Sequence, residues 1–246
     1  MSTPPRLHLD APLAEGAELA AAPGQGHYLG TVLRRAVGDP VRLFNGRDGE
    51  WAARIASLRK DRASFVVERP LRPPVTEPDI RLLVAAIKRD AMDWVAEKAT
   101  ELGAALIQPV FTRRTVADRV NTARLAAIAR EAAEQCDRLT VPHIAEAAPL
   151  HAVLDAWDAA VPLLAGDERR ASPPLARVAA GIGLRPPFGW LVGPEGGFET
   201  AELDDLRRRP FVSTVALGPR ILRAETAAVA GLAALQALAG DWTEAV

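Results

Sequence analysis

The chain has 246 residues, 49% hydrophobic and 25% charged, which suits one large or two modest domains with a sizeable core. Thirty basic side chains against thirty-one acidic ones leave a formal net charge of −1, so a global basic field for holding nucleic acid is excluded and only local patches remain. A single cysteine, Cys136, excludes an internal disulfide framework and a Cys-only metal site.

In chain order, the opening MSTPPRLHLDAPLAEG has no basic segment followed by an apolar one, so no secretory signal is expected. Gly26–Gly38 (GHYLGTVLRRAVG) reads as a short helix with Leu29, Val32, Leu33 and Val37 on one face and Gly38 as its stop. Pro40–Gly46 (PVRLFNG) alternates and ends in Asn-Gly, a hairpin signal. Glu50–Leu58 and Ala63–Leu71 continue the strand pattern, with the polar turn RKDR between them. A small barrel with one short helix over residues 1–72 is the simplest sum. Arg69–Asp79 (RPLRPPVTEPD) carries four prolines, and a stiff linker is expected at residues 73–79.

Beyond the linker the rhythm changes. Ile80–Ile87 is a continuous apolar strand, Asp90–Gly103 a helix with an Asp cap and a Gly stop, Leu106–Phe111 a strand, and Asn121–Cys136 a long helix. Val161–Gly166, Phe188–Gly193 and Thr214–Gly218 are further buried strands. Strands alternating with helices predict an α/β domain over residues 80–246, built on a mostly parallel sheet covered on both faces. Ligands in such sheets bind beyond the carboxyl ends of the strands. No apolar run reaches the roughly 18 to 20 residues that span a bilayer. The closest, Ala227–Ala239, is interrupted by Gln236, so no membrane association and a cytoplasmic location are expected.

Two strands end in glycine-proline turns, WLVGPEGGF (Trp190–Phe198) and VALGPRILRAET (Val215–Thr226). Glycines at 193, 196 and 197 allow close backbone approach to a ligand and positive φ. The following segment reads as a helix capped by Thr200, with Glu202 and Asp204 in its first turn. Those carboxylates and Glu195 repel phosphate, and neither GxxxxGKS/T nor GxGxxG is present, so ATP and NAD are poor ligands. A nucleoside with a zwitterionic tail, read by backbone groups, fits the loop better. A tight strand-to-helix connection is the plain alternative.

LVGPEGGFETAEL (Leu191–Leu203) followed by LGPRILRAETAAVAGLAALQ (Leu217–Gln236) resembles the paired C-terminal motifs of the SPOUT-type RNA methyltransferases. The match is closest to the RsmE family, which methylates N3 of a uridine, uracil 1498, in 16S ribosomal RNA. HYLGTVLR (His27–Arg34), LFNG (Leu43–Gly46), EKATELGAALIQPVFTRRT (Glu97–Thr115) and EAAEQCDRLTVPHI (Glu131–Ile144) agree in order. The resemblance implies a PUA-like, RNA-binding barrel followed by a SPOUT methyltransferase domain with a C-terminal trefoil knot. It also implies S-adenosylmethionine as cofactor with S-adenosylhomocysteine as product, no metal, a homodimer, and the 16S rRNA of the small ribosomal subunit as partner, with no DNA. Other SPOUT targets, a non-catalytic RNA-binding protein on the same fold and a nucleotide-binding α/β enzyme are the rival readings.

The resemblance places the cofactor between the two turns. Leu191, Val192, Gly193, Glu195, Gly196 and Gly197 are expected on one side, and Leu217, Gly218, Ile221, Leu222 and Thr226 on the other. N3 of uridine bears a proton, so the site must remove it or stabilise the uridinate. Arg223 is expected to stabilise the anion; Glu225 accepts the proton or orients Arg223. The alternative for both is a salt-bridged helix start. RNA contacts are expected at Arg34, Arg35, Arg113, Arg114, Arg138 and Arg220, on a track that also takes in Arg42, Arg54, Arg59, Lys60, Arg62 and Arg119. His8, His27, His143 and His151 show no metal spacing, and Cys136 reads as a small buried hydrophobe.

Overall fold

The computed structural model describes residues 3–60, 62–169 and 171–243. The chain forms two compact units, residues 1–76 with 133–141, and residues 77–132 with 142–246. Residues 133–141, expected in the second domain, therefore pack in the first unit.

The first unit contains β1 (Arg6–His8), β2 (Glu18–Ala20), the one-turn helix α1 (Gln25–His27), β3 (Pro40–Asn45), β4 (Gly49–Arg59) and β5 (Arg62–Arg72), in the sheet order β1-β3-β4-β5-β2. The β3–β4 turn forms where Asn-Gly predicts it: the Asn45 side-chain oxygen accepts the N–H groups of Arg47 at 3.0 Å and Asp48 at 2.7 Å. The turn between β4 and β5 includes Asp61, which lies outside the described residues. Register shifts between Glu50/Trp51, Ala52/Ala53 and Ile55/Ser57 bend these long strands. Ala53, Ile55, Phe65 and Val67 alternate onto one face and meet Leu7, Leu29, Val41 and Leu43 in the core.

The helix expected at 26–38 is shorter and differently wound. After α1, Tyr28–Val32 is one π-helical turn, with Leu33 N–H bonded to Tyr28 O at 2.9 Å. The extra residue in the turn breaks the 3.6-residue phase. Leu29 is fully buried, but Val32 and Val37 are exposed rather than on the same apolar face.

A buried guanidinium organises this unit. Arg6 Nε meets Glu50 Oε1 at 2.6 Å, both side chains almost wholly buried. Arg6 also donates to Ala133 O at 2.9 Å, Glu134 O at 3.0 Å and Arg138 O at 2.8 Å, and its Cζ lies 4.1 Å from the Phe44 ring centre. The Ala133 and Glu134 carbonyls lie in the last turn of a helix that ends at Gln135, where carbonyls lack intrahelical donors, so the guanidinium satisfies them.

The second unit contains β6 (Ile80–Ala85), α2 (Arg89–Glu101), β7 (Leu106–Phe111), α3 (Thr122–Gln135, its last turn counted with the first unit), β8 (His143–Ile144), β9 (Ala148–Pro149), α4 (Leu150–Asp155), β10 (Leu163–Gly166), α5 (Leu175–Gly181), β11 (Phe188–Val192), α6 (Thr200–Arg208), β12 (Val212–Val215) and α7 (Ala224–Ala239). The sheet runs β12-β10-β11-β6-β7-β8, with β9 also on β7, and its pairings are parallel. Leu82, Val84, Trp190 and Val192 face one apolar layer, with Val95, Leu232 and Leu235. Leu83, Ala85 and Leu191 face the other, with Phe198, Leu203 and Leu206. Both faces are covered, as the unbroken apolar runs predict.

Two helix starts differ from expectation. Asp90 lies inside the first turn of α2, and Lys88 occupies the cap position. In α6 the cap is Glu199, not Thr200: its N–H donates to Glu202 Oε2 at 2.9 Å in a capping-box arrangement.

α7 lies close against β11 because Gly231 has no side chain. A Cβ there would collide with the Trp190 indole, which is fully buried and donates to Ala227 O at 3.3 Å. No helix among the described residues is long and apolar enough to cross a membrane.

Candidate active site

A cavity of about 640 Å³ opens at the carboxyl ends of β6, β10, β11 and β12 in the second unit. That is the size of a cofactor pocket and the position expected in an open parallel sheet.

The loop after β11 forms one wall. Gly197 sits at φ 68° and donates to Pro194 O at 2.9 Å, closing a tight turn. A Cβ on Gly193 would stand 2.9 Å from the Phe198 ring, which is fully buried and anchors the loop. The segment after β7 braces the same loop. Arg114 Nη1 donates to Gly196 O at 2.8 Å, Arg113 N–H to Glu202 Oε1 at 2.8 Å, and Arg113 Nη1 lies 3.6 Å from Glu199 Oε2.

The turn after β12 forms the opposite wall. Gly218 takes φ 102°, a conformation a side chain rarely adopts. Leu217, Ile221 and Leu222 line the cavity, and Arg223 occupies the cap of α7 with no side-chain cap bond. Arg223 Nη1 stands 4.0 Å from Glu225 Oε1, with the arginine side chain 85% exposed and the glutamate 23%.

Eight of the residues expected at the cofactor are brought together here: Val192, Gly193, Glu195, Gly197, Leu217, Gly218, Ile221 and Leu222, joined by Arg220, Arg223 and Glu225. Three are not. Leu191 points into the opposite core layer with no exposed surface. Thr226 is on the exposed side of α7, and the carbonyl of Gly196 is taken by Arg114. Sequence reasoning missed Lys88 and Asp90 after β6, and Gly166, Asp167 and Glu168 after β10. The rule that ligands sit beyond strand ends was the available signal; AIKRD and LLAGDE both end strands in charged residues.

Of the arginines expected at RNA, Arg34 and Arg113 are exposed, whereas Arg35 is half-buried and reaches Thr3 O at 3.4 Å. Arg138 is 9% exposed in the first unit, with Nη2 on Thr140 Oγ1 at 2.9 Å. Arg42 lies 3.7 Å from Glu50, and Arg54 2.5 Å from Glu68. Cys136 is half-buried, and among the described residues no cluster of His, Cys, Asp and Glu is placed to hold a metal.

A family model described as an RNA methyltransferase domain matches residues 75–236, and one described as an RNA methyltransferase PUA domain matches residues 23–68. Ribosomal RNA small subunit methyltransferase E of Rickettsia conorii is 35% identical over 240 residues, covering 97% of this chain and 98% of the relative. The chain belongs to the RsmE family. An RsmE from Neisseria gonorrhoeae, solved bound to S-adenosyl methionine, is 30% identical and superposes with a TM-score of 0.85 over 98% of this chain and 100% of its own. A putative methyltransferase from Legionella pneumophila, solved with the bound cofactor SAM, is 28% identical with a TM-score of 0.87 over 98% and 100%. The RsmE assignment and the PUA-plus-α/β architecture expected from the sequence are borne out.

Proposed function

We propose that this protein transfers a methyl group from S-adenosylmethionine to N3 of a uridine, the family target uracil 1498, in the 16S RNA of the small ribosomal subunit. The observation that carries this reading is the cavity itself. Two glycine-proline turns face each other across a space of about 640 Å³, with Arg220, Arg223 and Glu225 at the second turn.

The residues present fit the cofactor. Gly193 and Gly197 leave no room for a side chain of their own, so backbone lines that wall. Leu217, Ile221 and Leu222 supply apolar contact for an adenine, and the remaining lining is polar enough for a zwitterionic tail. When bound, the cofactor supplies an electrophilic methyl on a sulfonium. The protein must align N3 with it and deal with the N3 proton. Arg223, exposed and not fixed by a cap bond, turns onto the uracil and holds the negative charge that develops as the proton leaves. Glu225 accepts that proton or keeps Arg223 in line.

Arg34, Arg35, Arg113 and Arg220 contribute to the RNA track, with Arg114 shared between RNA and the glycine loop. The trefoil knot and the homodimer belong to the same reading. Supporting the dimer, Leu238 and Trp242, on and just after α7, are exposed, 45% and 55%. The cytoplasm is where such a substrate is made.

Calorimetry with S-adenosylmethionine, S-adenosylhomocysteine and ATP tests the cofactor. Both sulfur ligands are expected to bind; ATP binding without either overturns the reading. Mass spectrometry of 16S RNA from a deletion strain tests the target. Loss of one N3-methyluridine is expected, and an unchanged modification pattern refutes that substrate.

A further inference from the structure

Glu168 enters the cavity from the end of β10, a strand with no glycine-proline turn of its own. Its carboxylate fills the space where a side chain on Gly197 would stand, so it lies directly against the backbone of the glycine wall.

Asp167 and Arg169, which flank Glu168 in the chain, are occupied elsewhere. Asp167, with no exposed side-chain surface, accepts from Arg169 N–H at 2.9 Å, Ser172 Oγ at 2.7 Å and Arg207 Nη2 at 3.4 Å. It fixes the loop that carries Glu168. Arg169 turns its Nη2 to Phe198 O at 3.2 Å. The ion-pair partner of Glu168 among the described residues is Arg169, its Nε 3.9 Å away, and the Glu168 side chain stays 34% exposed. Glu225 faces Arg223, and Glu195 is on the exposed outer part of its loop. Held against a ligand-cradling backbone, with no cation closer than 3.9 Å among the described residues, the Glu168 carboxylate is an acceptor for a cation on the ligand.

We infer that Glu168 binds the α-ammonium of the cofactor's methionine tail. The inference rests on the S-adenosylmethionine reading above. It directs the tail toward the end of β10 and leaves the α7 side, with Arg223 and Glu225, to the methyl group and the uracil. Glu168 thereby separates the complete cofactor from nucleosides that lack the amino-acid tail.

The test is calorimetry on the full chain, wild type and Glu168→Gln, with S-adenosylmethionine, S-adenosylhomocysteine and 5′-methylthioadenosine, which has neither ammonium nor sulfonium. Glutamine keeps the shape against Gly197 and removes the charge. Affinity for the first two ligands is expected to fall about tenfold or more, and affinity for methylthioadenosine to stay the same. Glu168→Asp, which withdraws the charge by one methylene, is expected to fall between. Unchanged affinity for all three overturns the inference. A parallel loss of methylthioadenosine makes Glu168 a prop for the loop, and a loss confined to S-adenosylmethionine moves the contact to the sulfonium; either outcome overturns it. Failure of the wild type to bind either sulfur cofactor sinks the cofactor reading itself, and the inference with it.

Discussion

In the first unit Arg6 and Glu50 meet at 2.6 Å with side chains 3% and 2% exposed, whereas in the second Arg223 and Glu225 stand 4.0 Å apart with the arginine 85% exposed. The first pair is surrounded by further partners: Arg72 Nε reaches the other Glu50 oxygen at 2.8 Å, and three carbonyls accept from Arg6. Every direction from which a substrate could approach is filled, so this charge holds structure. The second pair starts a helix beside a cavity and has room for a third group. Charge type and proximity along the sequence did not separate the two cases. What separates them is whether the fold has already satisfied the charge.

That contrast is broken most severely by removing Glu50. Glu50→Ala removes the buried carboxylate of Arg6 and leaves it only the exposed Asp137, whose Oδ1 lies 3.3 Å from Nε, and a loss of about 3–5 kcal/mol is expected in urea unfolding. A loss under about 1 kcal/mol means that water reaches the guanidinium and the contrast is false. Arg223→Ala probes the other side. Turnover is expected to drop about 100- to 1000-fold while S-adenosylhomocysteine affinity and unfolding midpoint stay unchanged. Equal loss of binding and turnover makes Arg223 structural, like Arg6.

The strands of the second unit were legible because a buried parallel strand leaves a continuous apolar run. β7 spans Leu106–Phe111, the residues its sequence predicts. The Asn45 hairpin was legible because its turn chemistry is local. The π turn at Tyr28–Val32 was not, since one extra residue per turn leaves no mark on composition and shifts the apolar face. The burial of Arg138 was illegible for another reason: it depends on residues 133–141 joining the unit formed by residues 1–76. Around the cavity, the glycine walls were visible as motifs. Lys88 and Glu168 were not, because a charged residue after a strand looks like any solvated turn until the strand order is known.

A milder change sharpens the picture of how tightly the second core supports its cavity. Gly231→Ala places a methyl group on the Trp190 indole. Alanine gains at most about 1 kcal/mol of helix propensity, against about 1–3 kcal/mol of overpacking around a ring with nowhere to move. A net loss of stability is expected by denaturant titration, and a stabilised variant shows that α7 can lift off β11 freely.

The smallest effect belongs to a charge that is neither buried nor free. Asp48 accepts the Leu13 N–H at 3.0 Å, which holds its carboxyl below the ordinary value of 3.8, helped by Asn45 and Arg47 and opposed by partial burial. A depressed folded value means the stabilisation is complete above the ordinary carboxylate range and is lost as pH falls through the folded value. Asp48→Asn is therefore expected to cost about 1 kcal/mol or less near neutral pH, with the difference from wild type shrinking only in acid below 3.8. Paired urea titrations at neutral and acid pH read this directly. A difference that persists unchanged into acid means the loss comes from the reshaped turn, and a difference that grows there reverses the sign of the Leu13 contribution. The expected shrinkage in acid separates a charge that stabilises its loop through its ionised form from Glu50, whose removal is felt throughout the unit.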